Sequence, residues 1–138
     1  MNEQVLIFSL NEEQNKTAVF TPFSLIHTLS GFYMALLFNY LGFNNLQGFL
    51  ALNIVHFMYE VKDYYVTYHT EKGRTNPCHR NTLINSIGDQ FSTILGAIIF
   101  YSMNKSRVET KTLVNSTLIF IIISILAWVI AWGYFKIG

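Results

Sequence analysis

Charge is what this chain has least of. Only 12% of its 138 residues are Asp, Glu, Lys or Arg, about half the ~25% of an ordinary soluble domain. The net charge is +1, which gives no basis for nucleic-acid binding or for a strongly anionic partner. A single cysteine, Cys78, excludes an intrachain disulfide and a thiolate metal cluster. A cleavable secretory signal is not expected. The apolar run Val5 to Leu10 is only six residues long and has acids on both sides, whereas a signal wants a basic start and a longer apolar stretch. Prolines number two and no low-complexity tract is present.

What is abundant is apolar and aromatic: 51% hydrophobic and 16% Phe, Trp and Tyr. Four apolar segments stand out, at about 23–41, 46–61, 83–103 and 113–134. Crossing ~30 Å of hydrocarbon takes roughly 20 helical residues. Backbone groups in lipid must be satisfied within the segment, so each segment is expected to be a helix. The expectation is an all-α, polytopic membrane protein. A polar N-terminal tail (1–20) precedes a four-transmembrane-helix bundle (21–138). The connection 42–45, "GFNN", reads as a tight turn, and 104–111 reads as a polar loop. The longest linker, 62–82, is basic and tyrosine-rich and belongs at the membrane surface. Thr21 and Pro22 suit the start of the first helix as N-cap and first turn. Trp128, Trp132 and Tyr134 read as an interfacial belt.

Four spans put both termini and the long linker on one face. That face carries Lys16, Lys62, Lys72, Arg74, Arg80 and Lys136, against Lys105, Arg107 and Lys111 on the other. The bias favours termini inside.

Polar residues inside the apolar segments carry the functional information. At 3.6 residues per turn, Ser24, His27 and Gly31 fall on one stripe. So do Asn53, His56, Glu60 and Asp63 in the second segment, and Asn85, Asp89, Ser92 and Gly96 in the third. An acid at the bilayer centre costs about 2.5–3.5 kcal/mol on insertion scales, so these stripes should face each other. Gly31, Gly88 and Gly96 then allow close helix contact. His27, His56, Glu60 and Asp89 are the candidate catalytic residues, with Ser24, Asn53, Asp63, Asn85 and Ser86 in support. Such a set can hold a divalent metal, act as general acid and base or relay protons. It can also do no more than hydrogen-bond helices together. Arg74, His79 and Arg80 in the linker are candidates for a lipid head group.

The runs "FSLIHTLSG", "HFMYEVKD" and "NTLINSIGDQFSTILG" are similar to a family of small bacterial inner-membrane proteins, itself distantly VanZ-like. Ser24, His27 and Gly31 match its first motif. Tyr59, Glu60 and Asp63 match its second, and Asn85, Ser86, Asp89 and Gly96 its third. The resemblance covers about residues 21–100. It departs at Ser30, where the family tends to a histidine, and at Arg80, Asn81 and Thr82, where it tends to Gly-Asp-Ser. It implies a membrane protein with a polar core acting near lipid or cell-envelope precursors, and no particular reaction.

Three functions follow as expectations. One is an enzyme acting on a lipid or lipid-linked phosphate, with membrane lipid as partner. Another is a small structural or assembly subunit of a larger respiratory or virion membrane complex. The third is a proton or ion pathway, which with four helices per chain needs a homo-oligomer.

Overall fold

The computed structural model describes residues 5–9, 14, 17–70 and 82–136, with backbone only for 66–70, 128 and 131–136. Four helices dominate: α1 (Ser24–Tyr40), α2 (Asn45–Thr70), α3 (Leu83–Met103) and α4 (Thr110–Lys136). Two short strands precede them, β1 (Leu6–Phe8) and β2 (Ala18–Phe20). They pair in parallel, Leu6 opposite Ala18 and Phe8 opposite Phe20. The stretch expected as a polar tail therefore carries local order, and β2 lies against α3.

Among the described residues, two helices are long and apolar enough to cross a membrane: α3, and the stretch Thr110–Ala127 of α4. Over these spans nearly half of α3 is buried by the rest of the chain, whereas none of α4 is.

Helix starts follow from local chemistry. Ahead of α1, the Thr21 hydroxyl accepts from the Phe23 N–H at 3.2 Å, and the Ser24 hydroxyl accepts from the Thr21 N–H at 3.1 Å. Thr21 thus closes a turn one step before the helix, and Phe23 occupies the cap position without a side-chain bond. The 42–45 connection turns on Gly42, whose φ of 94° suits glycine. Asn44 and Gln47 then exchange hydrogen bonds: the Asn44 side chain accepts from the Gln47 N–H at 2.9 Å, and the Gln47 side chain from the Asn44 N–H at 3.2 Å. This reciprocal box starts α2. Thr82 caps α3 through the Asn85 N–H.

α2 runs on to Thr70, well past the expected end at Val61. The apolar run stops at Val61, but no helix breaker occurs before Gly73, and a helix satisfies its own backbone in water as well as in lipid. Hydropathy therefore marks where the surroundings change, not where the helix ends. The first part of the expected linker, 62–70, is helical, and 71–81 lies outside the described residues.

The packing is inverted relative to a water-soluble bundle. Ser24, His56, Glu60, Asn85, Asp89, Ser92 and Thr93 are buried. Leu50, Ile54, Phe57 and Met58 of α2 and Leu118, Ile119, Ile122 and Ile125 of α4 are exposed. Apolar burial gathers at one end, around Ala35, Leu36, Leu52, Ala97 and Phe100. α1 and α3 form the tightest pair. A Cβ on Gly31 would strike the Thr93 carbonyl, and one on Gly96 the Thr28 carbonyl. These two glycines let the backbones touch, as small residues do between membrane helices. The α3–α4 loop is latched to the end of α1. The Val108 N–H donates to Asn39 Oδ1 at 2.8 Å, and Arg107 donates to the Tyr40 carbonyl at 3.1 Å.

Candidate functional site

The α1–α3 contact carries Ser24, His27 and Asp89 to the seam, and α2 brings His56 and Glu60 alongside. His27 is the hub. Its Nδ1 lies 2.9 Å from His56 Nε2 and 3.7 Å from Glu60 Oε1, and its Nε2 lies 3.4 Å from Asp89 Oδ2. His56 Nε2 and Glu60 Oε1 are 3.5 Å apart across one helical turn. The two imidazoles meet edge to face, with ring centres 5.1 Å apart. Thus all four residues expected to be catalytic converge, although they come from three helices. One ligand atom each from His27, His56 and Glu60 lies within 4.8 Å of the others.

The acids are held from behind. The Ser24 hydroxyl donates to Asp89 Oδ1 at 2.8 Å and accepts from the Thr21 N–H. A turn that begins α1 therefore also aims the Asp89 carboxylate. Thr93 donates to the His27 carbonyl at 3.3 Å, fixing the helix backbone under the hub.

Of the supporting residues, Ser24 and Asn53 join the cluster, Asn53 through an intermediary. Gln90, not singled out in the sequence, bridges them: its Nε2 donates to Asn53 Oδ1 at 2.7 Å, and its Oε1 faces His56 Nδ1 at 2.9 Å. Asn85 is engaged elsewhere, donating to the Ala18 carbonyl of β2 at 2.9 Å and accepting from the Thr82 hydroxyl. It lies one turn before Asp89 on the same stripe, but β2 occupies that end of α3. A Cβ on Gly88 would meet the Val19 carbonyl, so this glycine admits the strand. Asp63 pairs with Lys62 at 2.7 Å, beyond the apolar part of α2. That hydrogen bond holds the exposed lysine above its ordinary pKa. Ser86 lies on the wall of a neighbouring groove. The head-group candidates Arg74, His79 and Arg80 lie outside the described residues, as does Cys78. So do the side chains of Trp128, Trp132 and Tyr134.

A signal for Gln90 existed. It adjoins Asp89 in the third apolar segment, about 100° around the helix from it. A cluster wedged between two neighbours reaches two adjacent faces of the third helix, whereas a single-stripe reading looks along one.

Beside the cluster runs a groove of about 390 Å³ between α2 and α3. Phe57, Val61, Ile87, Phe91 and Ile94 make its walls; Glu60, Ser86 and Gln90 also line it, and almost no polar surface opens into it. Glu60 and Gln90 belong to both groove and cluster. The arrangement can move a proton between imidazole and carboxylate, and it can present an apolar chain to them. Searches with family models, against curated proteins and against solved structures each return no match to this chain.

Proposed function

We propose that the chain is an integral membrane protein of four spanning helices, and that it is an enzyme cleaving or transferring a lipid phosphate or lipid-linked phosphate. The observation that carries this reading is the sharing of Glu60 and Gln90 between a buried His/Glu/Asp cluster and an apolar groove. An acyl or polyprenyl chain in that groove would bring its polar end to the imidazoles. The groove walls are Phe, Ile and Val, and they suit hydrocarbon rather than a soluble metabolite. The exposed apolar faces of α2 and α4 suit lipid on the outside. The resemblance of residues 21–100 to the VanZ-like inner-membrane family supports a substrate of the envelope. In this reading a His–carboxylate pair acts as general acid and base, and Asp89 holds His27 in place through Nε2.

The test is phosphate release from phosphatidate and from a polyprenyl diphosphate by the full chain in proteoliposomes. Wild type is expected to turn over at least one of them. Glu60→Gln and Asp89→Asn are expected to lower the rate by about 10²–10⁴-fold, the usual worth of a positioned acid–base group. Absence of turnover by folded wild type, or rates indifferent to both changes, overturns the reading.

One observation favours a second reading, a structural or assembly subunit. α4 leaves Leu118, Ile122, Leu126 and Ile130 uncovered, and a partner helix would cover them as well as lipid would. Purification in mild detergent separates the two. A large stable complex supports the subunit, and an isolated chain opposes it.

A further inference from the structure

The hydrogen bonds around His56 place the proton of its neutral ring. The Phe49 carbonyl can only accept, so the Asn53 amide turned toward it at 2.7 Å must present its nitrogen. Asn53 Oδ1 therefore accepts, and the amide nitrogen of Gln90 donates to it. Gln90 Oε1 is then the atom facing His56 Nδ1, so His56 carries its proton on Nδ1. A neutral imidazole has one proton, which leaves His56 Nε2 with a bare lone pair. His27 has an oxygen on its other side as well: its Nε2 lies 3.4 Å from Asp89 Oδ2, and Asp89 Oδ1 takes the Ser24 hydroxyl. A neutral His27 that carries its proton on Nε2 leaves Nδ1 bare.

His27 Nδ1 and His56 Nε2 stand 2.9 Å apart, a separation that either a proton on His27 Nδ1 or a cation held by both lone pairs satisfies. A shared proton would engage two atoms. Here a third donor converges, Glu60 Oε1, 3.5 Å from one nitrogen and 3.7 Å from the other. Zinc bonds of about 2.0–2.1 Å at tetrahedral angles put neighbouring ligand atoms roughly 3.3 Å apart, and the three separations bracket that value. A triangle with these sides has a circumradius of about 2.0 Å, so one ion is within ordinary bond length of all three atoms.

We propose that His27, His56 and Glu60 form a binding site for a zinc-class divalent cation, with Asp89 and Gln90 orienting the two imidazoles. Each ligand histidine turns its second ring nitrogen toward an oxygen, Gln90 Oε1 at 2.9 Å for His56 and Asp89 Oδ2 at 3.4 Å for His27, the place where metal-bound histidines almost always have an acceptor. Two imidazoles and one carboxylate leave a fourth position open, the pattern of catalytic rather than structural zinc. Such an ion would polarise a phosphoryl oxygen or activate a water. The proposal deepens the lipid-phosphate reading by naming the cofactor of the same site, with the two imidazoles and Glu60 serving as its ligands in place of an acid–base role, and it stands on side-chain geometry independent of the substrate.

The experiment titrates the untagged full chain, chelator-stripped in detergent, with Co²⁺ alone and reads visible absorbance. Wild type is expected to saturate at one Co²⁺ per chain with the intense bands of low coordination number, and Zn²⁺ should displace it. His56→Ala and Glu60→Gln should lose saturable binding, and Gln90→Leu should weaken it about 10–100-fold, the usual cost of an outer partner. Glu109→Gln, in the exposed α3–α4 loop, should bind as wild type. Helicity and monodispersity establish folding, and Glu60→Gln, nearly isosteric, decides if His56→Ala does not fold. Folded wild type without saturable binding overturns the proposal, as does undiminished binding by folded Glu60→Gln. Co²⁺ binding without lipid turnover retires the lipid reading alone. Turnover by a chain that binds no Co²⁺ retires the metal alone.

Discussion

α3 and α4 pass the same test of length and apolarity, yet they live differently in the molecule. α3 is packed on α1, α2 and β2 and buries Asn85, Asp89, Ser92 and Thr93. α4 rests chiefly on α1, through Tyr33 stacked on Phe120 and hydrogen-bonded to Thr117, and its aliphatic side chains stay bare. Apolarity of a helix therefore states what surrounds it, while the polar exceptions state what it does. In α3 the exceptions fall on the faces that its neighbours cover, and a site results. In α4 beyond Thr117 there are few exceptions to place.

The contrast can be broken by substitution. The largest effect is expected for Gly96→Leu in α3. The new side chain would meet the α1 backbone at Thr28, and only separation of the two helices relieves that, so folded, monodisperse protein should be lost in detergent. Phe100→Ala comes next. Phe100 is 4% exposed and meets Phe32 edge to face. In the proposed membrane setting lipid is as apolar as the core, so only the packing part of the cost remains, about 1–3 kcal/mol in an unfolding titration rather than the ~3–5 kcal/mol of a water-soluble core. Ser24→Ala removes the hydroxyl that Asp89 accepts from across the α1–α3 seam, and should cost about 1–2 kcal/mol by the same titration. The smallest effect is expected for Ile122→Ala on α4, within about 0.5 kcal/mol, because Ile122 is 57% exposed. A loss at Ile122 as large as at Phe100 would mean that α4 is covered by another protein chain.

How much of this was readable beforehand differs by level. The first, third and fourth helices were legible to within a few residues, because a long, mainly apolar segment needs no tertiary information. The convergence of His27, His56, Glu60 and Asp89 was legible from the cost of isolating acids in hydrocarbon. β1 and β2 were not, since three-residue strands leave no periodicity and their order depends on contact with α3. The far end of α2 was missed because polarity was taken as a boundary that the backbone ignores. Gln90 and the reassignment of Asn85 were hidden for one reason. A stripe says which residues share a line, and the neighbours decide which part of the line each one faces.

The seam between β2 and α3 has a consequence for how the molecule is made. Ala18 precedes Asn85 by 67 residues, so during synthesis the strand leaves the ribosome long before the helix that completes it. Until then the Ala18 carbonyl has only water, and the acids of the second and third helices have no closed chamber to enter. Sealing comes late in assembly, and the delay leaves the carboxylates and imidazoles open to water until α3 docks.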